Sequence, residues 1–183
     1  MLIHRLLTLL PMLSLLIFAA AQDLRTRKIR NWLTLCLVLT GIAHSLVTAN
    51  TQASTVTLGD SLLGTLAGFG LPLMLFIIGA LGGGDVKLLA GVGAWLGVWG
   101  VVEVFLAAAI VGMAIVLVQC AAKGRLKVLF SNTFVLVLNF LHLGEVGIET
   151  VAETGKSCRS VDRPLPYAVP VLLAVLLMVT INY

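Results

Sequence analysis

The chain has 183 residues, 60% of them hydrophobic and 11% charged, where a soluble domain has about 45–50% and about 25%. That balance marks an integral membrane protein with little room for a soluble domain. The net charge of +4 sits in short basic clusters between apolar runs, a topology signal rather than a nucleic-acid surface, so no nucleic acid is expected as a partner.

A membrane-crossing helix needs about 20 apolar residues. In chain order the candidates are Leu2 to Gln22, Trp32 to Ala49, Leu62 to Leu81, a short Gly-rich stretch from Val86 to Trp99, Val101 to Ala122, and Leu165 to Ile181. The reading is an all-α integral membrane protein, one polytopic domain over residues 1–183, with six transmembrane helices. Gly64 and Gly68 on the third span, and Gly93 and Gly97 on the fourth, have the small-xxx-small spacing that lets helices approach closely. Ala19 and Ala21 are spaced like a signal-peptidase site. However, one arginine precedes the first apolar run and four basic residues follow it, which favours a retained span.

The basic residues set the orientation. Arg25, Arg27, Lys28 and Arg30 follow span one, and Lys87 lies between spans three and four. Lys123, Arg125, Lys127, Lys156, Arg159 and Arg163 lie between spans five and six. The connection from Asn50 to Asp60 and the short turn near Gly100 carry no Lys or Arg; only Arg5 opposes the pattern. Positive-inside then puts the loops after spans one, three and five in the cytoplasm and both termini outside. In the long cytoplasmic loop, 123–164, residues 128–143 hold five polar side chains among sixteen and read as an interfacial helix rather than a seventh span. Glu145, Glu149 and Glu153, four residues apart, read as a solvated helix face in a polar loop.

Cys36, Cys120 and Cys158 are far apart and form no CxxC, and His4, His44 and His142 are equally scattered. No metal site and no cofactor is expected. Of the eight acidic residues, Asp60 and Glu103 fall near the outer surface and four fall in the long loop. Asp23 ends span one and Asp85 opens span four. Sixty-two positions separate them, yet an orientation argued only from Lys and Arg puts both at the cytoplasmic face. Two close carboxylates cannot both ionise easily and share a proton. The ionised member can take a proton from water while the protonated one donates to a scissile carbonyl oxygen, which is peptide hydrolysis without a covalent intermediate. Gly82, Gly83 and Gly84 let the backbone turn tightly and approach a substrate. Taken singly, Asp85 is as readily a helix cap and Asp23 a partner for Arg25 or Arg27. Lys87 reads first as an inside-facing anchor and second as a tuner of the pair.

The strings D-x-R-x-x-x-I-R-N, Asp23 to Asn31, and G-x-G-D-V-K-L-L, Gly82 to Leu89, together resemble the prepilin peptidases, which are GxGD intramembrane aspartic proteases. G-A-W-L-G, Gly93 to Gly97, and the Pro166-Tyr167 pair extend the resemblance over nearly the whole chain. The resemblance implies that Asp23 and Asp85 are the catalytic pair. It implies as substrate a prepilin or pseudopilin, cut at the cytoplasmic edge of its apolar helix, usually after glycine and behind a short basic leader. It also implies a bacterial inner-membrane location, an active site facing the cytoplasm, and pilus or secretion assembly machinery as partners. Larger members carry paired CxxC motifs and methylate the new N-terminus. This chain starts at span one without CxxC, so it looks like the short form of Tad (Flp pilus) systems, and methyltransferase activity is not expected. Arg30 stands where many members have Pro, and Ala168 where many have Gly, which bears on how the substrate loop is built. Gln22 before Asp23 departs from the Tyr-Asp of presenilins and signal-peptide peptidases. Arg25, Arg27, Lys87 and Asn31 are candidates for tuning or substrate contact.

Two other readings compete: a transporter or proton pathway using Asp23 and Asp85, and a non-catalytic pilus assembly subunit. Transporter sites lie near the midplane, often between inverted repeats, whereas these acids lie at one face and no repeat is visible.

Overall fold

The computed structural model describes residues 2–48, 56–77, 81–141 and 167–181. Among these the chain is helical: α1 (Leu2–Thr26), α2 (Asn31–Thr48), α3 (Leu58–Ile77), α4 (Gly83–Ala122), α5 (Leu126–Leu141) and α6 (Ala168–Ile181). Four of them, α1 to α4, are long and apolar enough to cross a membrane, and the protein is an all-α membrane protein.

α4 has 40 residues, about 60 Å if straight and twice the thickness of a bilayer core. It is not straight. Gly97 has φ 71° and ψ −172°, a backbone region open essentially only to glycine, and the helix breaks there into two limbs. The limbs fold back on each other. A methyl group added at Gly68 would meet both the Leu89 carbonyl and Val101 Cγ2, two residues that a straight helix would separate by about 18 Å. The reversal thus falls at Gly97, three residues before the turn expected near Gly100. The sequence offers glycines at 93, 97 and 100, and only the backbone angle tells which one carries the turn.

α3 runs antiparallel to the first limb of α4. Gly64 lies against Gly93 and Gly97, Gly68 against Leu89, and Phe76 against Gly83. At Gly64 and Gly93 each backbone occupies the space where the other's Cβ would be, so both must be glycine for the helices to approach this closely. Ser61 Oγ, fully buried, donates to the Ala94 carbonyl at 2.6 Å across the same seam. At the start of α3 the Thr57 backbone N–H and hydroxyl both donate to Asp60 Oδ2, and the Asp60 N–H donates to Thr57 Oγ1. Thr57 is therefore the cap and Asp60 its partner three residues on, a reciprocal capping box.

α2 runs parallel to that limb on its other side. Leu37 covers Gly91, Gly41 faces Ala94 and Trp95, and Trp95 Nε1 donates to the Leu37 carbonyl at 3.0 Å. The Trp95 indole stacks on His44 with centroids 4.8 Å apart. The second limb packs on α6, where Gly100 faces Met178 and Gly112 faces Pro170. Met12 and Leu16 of α1, Leu33 and Leu37 of α2, Leu88 and Val92, Val101 and Val104, and Val171 and Val175 of α6 close the core. Leu66, Met74, Ile110 and Val118 are more than 65% exposed, as lipid-facing side chains are.

α4 ends in a Schellman motif. Gly124 has φ 65°, Arg125 N donates to the Cys120 carbonyl and Gly124 N to that of Ala121. α5 follows at once and covers most of the segment read as an interfacial helix. His142, the acidic face at Glu145, Glu149 and Glu153, Cys158 and Pro166 lie outside the described residues.

Candidate active site

The packing fixes which helix ends meet. Because α2 is parallel and α3 antiparallel to the first limb of α4, the end of α1, the start of α2, the end of α3 and the start of α4 share one end of the bundle. α6 starts there too, since its Ala168 touches α1. Asp23 lies in the last turn of α1 and Asp85 in the first turn of α4.

The end of α1 is shaped locally. Arg27 adopts φ 53°, rare for a residue other than glycine, and its N–H closes the last turn on the Asp23 carbonyl. The Thr26 hydroxyl donates to the carbonyls of Gln22 and Lys28. The chain thereby turns sharply towards α2, and Ile29 is laid against Gly84. The Lys87 ammonium donates to Asn31 Oδ1 at 3.0 Å. The two charged motifs are therefore joined at two points, by an apolar contact and by a hydrogen bond.

Asp23 is buried, at 6% exposure. Its Oδ2 accepts the Ala168 backbone N–H at 3.2 Å, and the Arg27 guanidinium lies within electrostatic reach. Asp85 is half-buried. It is the third residue of α4, and its carboxylate turns back to accept from the Gly82 backbone N–H. A Cβ at position 82 would come within 2.9 Å of Asp85 Oδ2, so the glycine there leaves room for the carboxylate itself. The Asp85 carboxylate and that of Asp23 are close enough to repel each other. Tyr167 completes the group. Its half-buried phenol lies within electrostatic reach of Asp85.

Residues 10–117, which contain both aspartates, match the model of the type IV leader peptidase family. The chain belongs to that family. It is 35% identical over 117 residues to a prepilin leader peptidase/N-methyltransferase of Pectobacterium carotovorum, a match covering 60% of this chain and 40% of that protein. It is 38% identical over 98 residues to a prepilin leader peptidase/N-methyltransferase of Klebsiella pneumoniae, covering 48% and 40%. It is 35% identical over 79 residues to a preflagellin peptidase of Methanococcus maripaludis, covering 43% and 34%. The chain thus matches about two fifths or less of the length of these relatives. No solved structure matches it.

Of the residues singled out from the sequence, the structure brings together Asp23, Asp85, Gly82, Gly84, Arg27, Asn31 and Lys87. Gly83 faces Phe76 on the α3 side, and Arg25 is exposed, without a described contact to either carboxylate. Tyr167 and the Ala168 N–H had no site role from sequence. The signal was present in the Pro166-Tyr167 string at the start of the last apolar run, but only the fold shows that this helix begins beside Asp23.

Proposed function

We propose that the chain is an aspartic endopeptidase of the membrane that removes the leader of a prepilin or pseudopilin, with Asp23 and Asp85 as the catalytic pair. The observation that carries this reading is the convergence of the two carboxylates, 62 positions apart in sequence, in one cluster at the ends of α1 and α4. Membership of the type IV leader peptidase family supports it.

The chemistry follows from the pair. One aspartate, ionised, takes a proton from water as its oxygen attacks the scissile carbonyl carbon. The other, protonated, gives its proton to the carbonyl oxygen. Collapse of the tetrahedral species breaks the C–N bond, and a proton is returned to the leaving amine. A site at helix ends suits a bond at the edge of an apolar helix, and Arg25, Arg27, Lys28 and Arg30 beside it support a cytoplasmic-side orientation, in a bacterial inner membrane within this reading. The same placement disfavours a transporter, whose ionisable groups sit near the midplane. Within this reading the protein serves a Tad (Flp) pilus or a related secretion system, with its assembly machinery as partners and no N-methyltransferase step.

Coexpression with a prepilin that carries a short basic leader before its apolar helix tests the proposal. Wild type shortens the pilin by its leader on a gel, while Asp23→Asn and Asp85→Asn each leave the precursor at full length. An uncut pilin with wild type overturns the peptidase reading in favour of an assembly or transport role.

A further inference from the structure

The two carboxylates are not equivalent, and their surroundings assign them different tasks. Asp23 Oδ2 accepts the backbone N–H of Ala168, at 3.2 Å in a buried position. Val171 N donates to the Tyr167 carbonyl, so Tyr167 is the cap of α6 and Ala168 its first helical residue. The donor is thus one of the four N–H groups that a helix cannot satisfy internally, at its positive end. Arg27 adds a full positive charge near the same carboxylate. Asp85 lies within electrostatic reach of the Asp23 carboxylate and of Tyr167, and its own N–H contact comes from Gly82. Lys87, two residues along, gives its ammonium to Asn31. Among the described residues, then, the Arg27 charge and the foreign helix end both serve Asp23.

We infer that the first turn of α6 is a positioning element of the site, whose Ala168 N–H, with Arg27, holds Asp23 as the ionised base and leaves the shared proton on Asp85 as the acid. The inference rests on the peptidase reading above and assigns the two roles within it. A donor to the charged form of a carboxylate favours that form. That bond and the Arg27 charge offset the cost of burying the Asp23 anion, and Asp85 keeps the proton it must deliver. The step balances: water gives its proton to Asp23, its oxygen bonds to the carbonyl carbon, and the Asp85 proton passes to the carbonyl oxygen. Ala168 and Arg27 touch neither the water nor the scissile bond and act through Asp23.

The pH profile of kcat/KM tests this, because its acid limb reports ionisation of the base and its alkaline limb deprotonation of the acid. The probe is a synthetic prepilin peptide, a short basic leader ending in glycine before an apolar helix, presented in detergent micelles. Ala168→Pro deletes the donor at a first helical position, where proline is well tolerated. Arg27→Asn removes the charge with a residue that accepts positive φ. Each is expected to move the acid limb up by about one pH unit and to leave the alkaline limb in place. Ala168→Gly, which keeps the N–H, keeps the wild-type acid limb whatever its rate. If Ala168→Pro does not fold, Arg27→Asn on the exposed loop carries the test alone. An unmoved acid limb, or a moved alkaline limb, overturns the assignment while leaving the peptidase reading intact. No cleavage by wild type at any pH overturns both.

Discussion

At the scale of single residues, the site depends on what position 82 lacks. A Cβ there would press on Asp85 Oδ2 at 2.9 Å, and the end of the aspartate side chain, not the backbone, would yield. Gly82→Ala is therefore expected to fold like wild type but to lose about ten- to a hundredfold in kcat, as displacement of a reacting group by about 1 Å does. Unchanged kcat would show that the carboxylate position is set elsewhere.

Elements meet through missing side chains and a few polar bonds. Gly93→Leu would drive a side chain into the Gly64 backbone, which cannot give way, and α3 would separate from α4. Loss of folded protein on size exclusion is the expected result. Ser61→Ala removes only the bond to the Ala94 carbonyl and should cost about 0.6 to about 1.7 kcal/mol, the range of interhelical bonds in membranes. Lys87 and Asn31 are both exposed, so their bond adds little to stability. Its effect is on geometry, since it ties the chain after Asp23 to the helix that carries Asp85. Lys87→Met should lower kcat about tenfold with little change in melting temperature. Asn31→Asp, which keeps an acceptor for the ammonium, should retain most of the activity. Equal loss in both variants would point to direct substrate contact instead.

For the whole molecule, apolar run length located the helices and Lys and Arg placement located the shared face. The convergence of Asp23 with Asp85 was legible from those two signals because both describe how a chain threads a bilayer, and the fold follows that threading. Other features depend on registers that run length does not encode. The reversal sits at Gly97 because α3 packs on both limbs, a tertiary demand that no local pattern distinguishes from a turn near Gly100. Lys87 read first as an anchor; its partner Asn31 is 56 positions away and emerges only from the parallel register of α2 with α4. Ala168 contributes a backbone N–H, which no residue type announces.

The central claim is that Asp23 and Asp85 work as one unit, and a double-mutant cycle on leader removal tests it most directly. Rates are compared for wild type, Asp23→Asn, Asp85→Asn and the double variant, in the same membranes and with the same prepilin. Each single variant is predicted to lose at least about a hundredfold. The double variant should lose no more than the worse single one, because either change already dismantles the unit. Wild-type cleavage by either single variant, or a double loss equal to the product of the single losses, would contradict the account.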